Sequence, residues 1–336
     1  MPRLISLLSL YFLTNGAMVL AATVDVASTV APATKVNAAV EPASEDLPEV
    51  VKKKVVYPTT VKVQANVSYL GENRKEKADI YTPLDQDKKK LLPGIIVIHG
   101  GGFNDGDKAR GRELNIAENI TLKGYVCMSI NYKLRKMKNQ VTWPQSVYDA
   151  KAAVRWMRKE AANLGVDPDK IGVIGCSAGM NLSMMLATTG PADGFDLVKG
   201  ELYPEVSSKV ACAVGFYGAV DLMNYHDMKM FAKTREDAPE LYKMGSPITY
   251  LDDKDPPMLL VHGTEDLTVP LSQSETFLKI AKEKKANCTL VVIPGAPHSF
   301  HLQPPQRDLR PLVIGFFDQH LKGQPVIAEI QVPVTK

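Results

Sequence analysis

The apolar residues fall into short continuous runs from about residue 55 onward, and helical patterns alternate with them. Gly94 to His99 (Gly-Ile-Ile-Val-Ile-His) is one such run. A run of that length without polar interruption predicts a strand covered on both faces. Tyr125 to Asn131, Ile171 to Gly175, Val210 to Phe216, Met258 to His262 and Leu290 to Ile293 predict further strands of this kind. Between them, Gln145 to Asn163 places Val147, Ala150, Val154, Met157 and Ala161 at helical spacing. Ala178 to Thr188 and Pro311 to Leu321 also predict helices, and Pro270 predicts the opening of another, since proline suits a first turn. Upstream, Val55 to Tyr57, Val61 to Val63 and Ala78 to Tyr81 predict early antiparallel strands. Alternation of strands and helices implies an α/β domain with a mostly parallel sheet wrapped by helices.

The ends of the chain break this pattern. Pro2-Arg3, the apolar run Leu4 to Leu13, the Thr14-Asn15-Gly16 break and the small residues around Ala21-Ala22 have the layout of a secretory signal peptide. The apolar run is about half the roughly 20 residues that a spanning helix needs, so no stable membrane insertion is expected after cleavage. The expected location is therefore secreted or periplasmic. Residues 23–50, rich in Ala, Val, Thr, Ser and Pro, read as a disordered linker. Residues 51–322 read as the catalytic domain, and 323–336 as a tail.

Composition narrows the function classes. With 40 basic and 37 acidic side chains, the net charge of +3 gives no electrostatic footprint for nucleic acid. The clusters Lys52 to Lys54 and Lys88 to Lys90 read as solvated edges. The four cysteines, Cys127, Cys176, Cys212 and Cys288, fall on predicted strands or at a tight turn and read as free buried thiols. No Cys/His cluster suggests a metal, and the chemistry below needs no cofactor.

That chemistry begins at Gly175-Cys176-Ser177-Ala178-Gly179, which fits G-x-S-x-G between a predicted strand and helix. A serine there stands on a tight turn with its hydroxyl at the carboxyl edge of the sheet. Cys176 is the rival nucleophile, but its flanking positions are Ile174 and Ala178, so the glycine frame selects Ser177. His99-Gly100-Gly101-Gly102-Phe103 follows another strand. Its glycines let the backbone approach a substrate and aim N–H groups at a developing oxyanion, while His99 reads as structural. An acid and then a histidine are required in chain order. After the strand ending at His262, Asp266 is the favoured acid and Glu265 the second choice. In Pro294-Gly295-Ala296-Pro297-His298-Ser299-Phe300, His298 is the favoured base and His301 the alternative. His226, His262 and His320 lack that combination of chain order and strand-end position.

Taken together, HGGGFNDGDK (99–108), DPDKIGVIGCSAGMNL (167–182), the stretch from Ser246 to Glu275 with HGTEDLTVP, and PGAPHSF (294–300) resemble the carboxylesterase and lipase branch of the α/β-hydrolases, including the bacterial hormone-sensitive-lipase-like group. The wording is nearest to the bacterial feruloyl- and acetyl-esterase-like subgroup. The resemblance implies an α/β-hydrolase fold with a central sheet of about eight strands flanked by helices. It implies a Ser177, Asp266 and His298 triad, with Gly101, Gly102 and Ala178 as backbone donors of the oxyanion hole. Met180-Asn181 stands where such esterases often have Gly-His, and Phe103 where Trp is common. Residues 224–250 form a long insertion, expected to cover part of the site as a lid, with Tyr225 and Phe231 joining Phe103 and Met180 in a substrate pocket. The expected partner is a small-molecule or oligosaccharide ester, carrying a short-chain or aromatic acyl group. A peptidase, an amidase, a lipase and a catalytically inactive binding protein are the competing readings. The sequence leaves the oligomeric state open.

Overall fold

The computed structural model describes residues 55–195 and 202–325. The signal peptide, the linker and most of the tail read from the sequence lie outside these residues. The described residues hold one sheet of eight strands: β1 (Lys62–Val67), β2 (Ala78–Thr82), β3 (Leu92–Ile98), β4 (Val126–Ile130), β5 (Val166–Cys176), β6 (Cys212–Phe216), β7 (Met258–Gly263) and β8 (Cys288–Ile293). Their spatial order is β1-β2-β4-β3-β5-β6-β7-β8. β2 is antiparallel to both β1 and β4, and every pairing from β4 across to β8 is parallel.

The continuous apolar runs follow from burial on two sides. Along β3, Ile95 and Val97 enter one core, while Ile96 and Ile98 enter the other. The first core is closed by α1 (Gly111–Thr121) and α7 (Arg310–Lys322), through Ile116, Ile120, Leu312, Phe316 and Phe317. On the opposite face lie α2 (Gln145–Lys159), the short α3 (Ala161–Leu164), α4 (Ala178–Thr188) and α6 (Ser272–Lys284), with Val147, Val154, Leu182, Met184 and Phe277 packed inward. A strand sandwiched in this way has no polar face to alternate with. A further short helix, α5 (Pro239–Met244), lies in the insertion between β6 and β7.

Several boundaries differ from those expected. Val55 to Tyr57 is irregular rather than a strand. Pro58, which follows it, brings no N–H to a ladder, and Tyr57 is tied instead through its hydroxyl to Asp79 Oδ2 at 2.9 Å. β5 starts at Val166 rather than Ile171, because Val166 pairs with Leu92 across an irregularity in the register. The helix expected from Pro270 starts two residues later, at Ser272. α1 has no counterpart in the sequence reading. Its segment carries two Asn and a Thr, all mediocre helix formers, and packing of Ile116, Ala117 and Ile120 on the sheet outweighs them.

This topology gathers one end of the molecule. The strand order reverses at β3, between β4 and β5, and loops at the carboxyl ends of parallel strands beside such a point frame a crevice. The glycine-rich loop leaves β3, Ser177 leaves β5, Asp266 leaves β7 and His298 leaves β8.

Candidate active site

Ser177 joins β5 directly to α4, and the turn is too tight for an ordinary backbone. Its φ is 54° and ψ is −118°, a conformation that costs a non-glycine residue on the order of 1–3 kcal/mol. The surroundings hold it there. Its N–H donates to Phe216 O at 2.8 Å, and its carbonyl accepts the Met180 N–H at 2.9 Å. The flanking glycines leave no room for a side chain. A Cβ on Gly175 would lie 2.0 Å from Gly179 O, and one on Gly179 would lie 2.1 Å from Ile98 O. Both clashes are with backbone, so neither is relieved by a rotamer change. Gly179→Ala is therefore expected to lose about 2–4 kcal/mol of stability in urea unfolding. Gly190→Ala, where a Cβ meets nothing within 4 Å, is expected to be nearly neutral. Equal midpoints for the two variants would contradict this account of the elbow.

Cys176 points away from the crevice. It is buried in the core under α7, and burial pushes its thiol up to about 11. It holds its proton at neutral pH and has no access to substrate, which removes it as the rival nucleophile.

Ser177 Oγ lies 3.1 Å from His298 Nε2, and His298 Nδ1 lies 2.7 Å from Asp266 Oδ2. Asp266 is buried, and its other oxygen accepts the N–H groups of Thr268 and Val269 at 2.9 and 2.8 Å. The carboxylate is thereby fixed with one oxygen free for the imidazole. With the Nδ1 proton directed at Asp266, Nε2 is left to accept the serine proton. The face of the assembly is completed by Tyr217, whose ring meets that of His298 edge-on at 4.8 Å. Tyr217 donates its hydroxyl to Phe300 O, pinning the loop that carries His298.

The alternatives fall outside this relay. Glu265 is exposed, and its backbone N–H is what the structure uses, donating to Ala296 O. His301 does not line the cavity, and its Nδ1 accepts the Gln303 N–H at 3.0 Å. His262, set aside on sequence, lies against the relay. Its Nε2 is 2.9 Å from Val269 O and 3.3 Å from Asp266 Oδ2, and its Nδ1 is 2.8 Å from Ser274 Oγ. Burial holds its pKa below the ordinary value, so the ring is a neutral brace under the acid loop. The one sequence signal for it was its position four residues before Asp266, at the end of a strand.

Gly101, Gly102 and Ala178 border the same cavity as Ser177 and His298. Gly101 has a φ of 117°, and a Cβ there would strike Asp105 O at 2.0 Å. Ala178 is the first residue of α4, where the N–H has no intrahelical acceptor and the helix end favours negative charge. His99 is fully buried, stacked on Tyr132 at 4.4 Å, with Nδ1 2.7 Å from Gly100 O. Burial lowers its pKa to about 4, and it supports the loop as a neutral ring.

The cavity measures about 480 Å³. Phe103 and Tyr225 line it, together with Asn181, Leu222 and Met228. Met180 and Phe231 do not. Three residues into α4, Met180 faces the sheet rather than the crevice, and its sulfur accepts the Gly218 N–H at 2.9 Å. Phe231 packs beneath the lining, against Trp143 at 5.6 Å and Tyr242 at 4.5 Å. The insertion is anchored at several points: Tyr225 donates to Thr268 O at 2.8 Å, and the Tyr242 hydroxyl joins Met228 N–H to Lys233 O. Among the described residues no cluster of three or more His, Cys, Asp or Glu could hold a metal ion, and no helix is long and apolar enough to cross a membrane.

The BD-FAE family model matches residues 78–280. Esterase LipQ of Mycobacterium tuberculosis is 30% identical over 249 residues, covering 71% of this chain and 57% of that protein. The probable isoprenylcysteine alpha-carbonyl methylesterase ICMEL1 of Arabidopsis thaliana is 23% identical over 300 residues, covering 81% and 60%. The chain thus spans little more than half the length of these relatives. A truncated carbohydrate esterase from gut microbiota superposes with a TM-score of 0.71 at 26% identity, covering 80% of this chain and 100% of that one. Thermogutta terrifontis esterase 2 phosphorylated by paraoxon does so with a TM-score of 0.63 at 27% identity, covering 78% and 94%. The same esterase with propionate bound gives 0.65 at 28%, covering 80% and 96%.

Proposed function

Since the chain belongs to the BD-FAE family and has the α/β-hydrolase fold of its esterase relatives, we propose that it is a serine carboxylic ester hydrolase acting through Ser177, His298 and Asp266. The observation that carries this reading is the unbroken relay from Ser177 Oγ through His298 to Asp266, set at the wall of a cavity that Gly101, Gly102 and Ala178 also line.

The steps follow from that geometry. His298 Nε2 takes the hydroxyl proton as Ser177 Oγ attacks the ester carbonyl, and Asp266 stabilises the imidazolium. The N–H groups of Gly101, Gly102 and Ala178 stabilise the tetrahedral oxyanion, each donor being worth roughly 3–4 kcal/mol by analogy with other such sites. His298 then returns the proton to the departing alcohol, leaving an acyl-serine. Water, deprotonated by the same imidazole, attacks the acyl-serine, and Ser177 leaves with the proton.

For the substrate, we propose short-chain or aromatic acyl esters, including acyl groups on polysaccharide fragments. The wall formed by Phe103, Leu222, Tyr225 and Met228 suits a small apolar acyl group, and the cavity volume is modest. The similarity to a carbohydrate esterase, and to an esterase crystallised with propionate, supports the same direction. Export by the Leu4 to Leu13 segment belongs with this proposal, since polysaccharides are met outside the cell. The test is kcat/KM along a series of 4-nitrophenyl esters, with acetylated xylan oligomers and methyl ferulate alongside. A maximum at two to four carbons, or clear turnover of either carbohydrate-related ester, is expected (about tenfold over a ten-carbon chain). A maximum at about ten carbons or more, with neither of those esters cleaved, would contradict it.

A further inference from the structure

Arg112, the second residue of α1, has no part in the steps above, yet it lines the cavity. Gly100 leaves room for it. A Cβ built on Gly100 would stand 3.0 Å from Ser177 Cβ and 3.3 Å from Arg112 Nη2, so the guanidinium lies within one side chain's reach of the nucleophile. Only one edge of that guanidinium is used. Nε donates to Glu113 Oε1 at 2.9 Å, and neither Nη group donates to a protein acceptor among the described residues.

Among the described residues Arg112 has one ion pair, with Glu113, Nε to Oε1 at 2.9 Å, and Glu113, 1% exposed, leaves its Oε2 without a hydrogen-bond partner there. The cavity lining adds Lys229 and Arg110, the latter bridged to Asp105 at 2.6 Å, and contains a single carboxylate, Asp227, which is bridged to Arg235 at 3.2 Å. A planar guanidinium in a partly desolvated wall, with its Nη edge open, matches a carboxylate in both charge and fork geometry. A neutral acyl ester would leave that edge unused.

Building on the serine-esterase reading, we propose that Arg112 is a specificity-determining residue that selects esters carrying a carboxylate a few bonds from the scissile carbonyl. The carboxylate can belong to the acyl part, as in a half-ester of a dicarboxylic acid, or to the alcohol part, as in an acylated uronic acid. Two substrate pairs separate these sources: 4-nitrophenyl hemisuccinate against 4-nitrophenyl butyrate, and O-acetylated glucuronic acid against O-acetylated glucose. In at least one pair kcat/KM should favour the carboxylate member by about tenfold or more at low ionic strength. The preference should shrink as salt is added, collapse in Arg112→Gln, and survive in part in Arg112→Lys.

Three results would overturn the proposal: no preference in either pair, a preference that persists in Arg112→Gln, or an equal loss on both members of a pair in that variant. If Arg112→Gln does not fold, the wild-type ratios, their salt dependence and Arg112→Lys decide the matter. Failure of the underlying esterase reading looks different, because none of the four esters would then be hydrolysed.

Discussion

Ser177→Ala should fold normally and lose about five to six orders of magnitude in kcat on 4-nitrophenyl acetate. The fold should survive because the side-chain oxygen's hydrogen bond among the described residues is to His298 Nε2, not to the scaffold. Alanine keeps the Cβ, so the strained backbone at φ 54° is unchanged. The remaining rate should reflect the oxyanion donors and cavity acting on water alone, which in comparable hydrolases leaves on the order of 10³–10⁴ over the uncatalysed reaction. Circular dichroism and a urea midpoint establish folding, and steady-state kinetics reads the loss. Near-normal turnover by a folded Ser177→Ala protein would remove the residue from the reaction.

His298→Ala should be nearly as damaging, by about four to six orders of magnitude, because members of such a relay act as one unit. Without Nε2 at 3.1 Å, the Ser177 hydroxyl has no base within reach. His301→Ala provides the contrast. Its ring outside the cavity accepts only a local N–H, from Gln303, and its removal should change kcat/KM by less than about tenfold. The two variants together decide between the histidines, since a reversed ranking would make His301 the base.

What the sequence made legible follows from how each feature is encoded. Strands covered on both faces are written as continuous apolar runs, so β3 to β8 could be found and their carboxyl-end loops put in order. G-x-S-x-G was readable because sterics at the elbow demand glycine at 175 and 179, and the structure shows the two backbone oxygens responsible. Sequence spacing did not resolve direction on a short scale. Met180 is near Ser177 in sequence, yet the rotation of α4 turns it toward Gly215 and Gly218 under the sheet. Phe231 has the right character for a pocket wall, but Trp143 and Tyr242 hold it in the layer beneath. Arg112 was invisible as a functional candidate for another reason: Gly100, its neighbour at the site, is brought to it by tertiary packing rather than by a motif, whereas His262 carried only its place near the end of β7, four residues before Asp266. α1 was missed because packing on β2, β3 and β4, not propensity, makes it a helix.

The central claim is that Ser177 is an activated nucleophile, and stoichiometric reaction with an organophosphorus ester such as paraoxon tests it most directly. Intact-mass spectrometry should show one phosphoryl group per chain, peptide mapping should place it on Ser177, and esterase activity should fall in step with its incorporation. Ser177→Ala should remain unlabelled under the same conditions. A wild-type protein that takes up no label, or takes it up equally well in Ser177→Ala, would contradict the account.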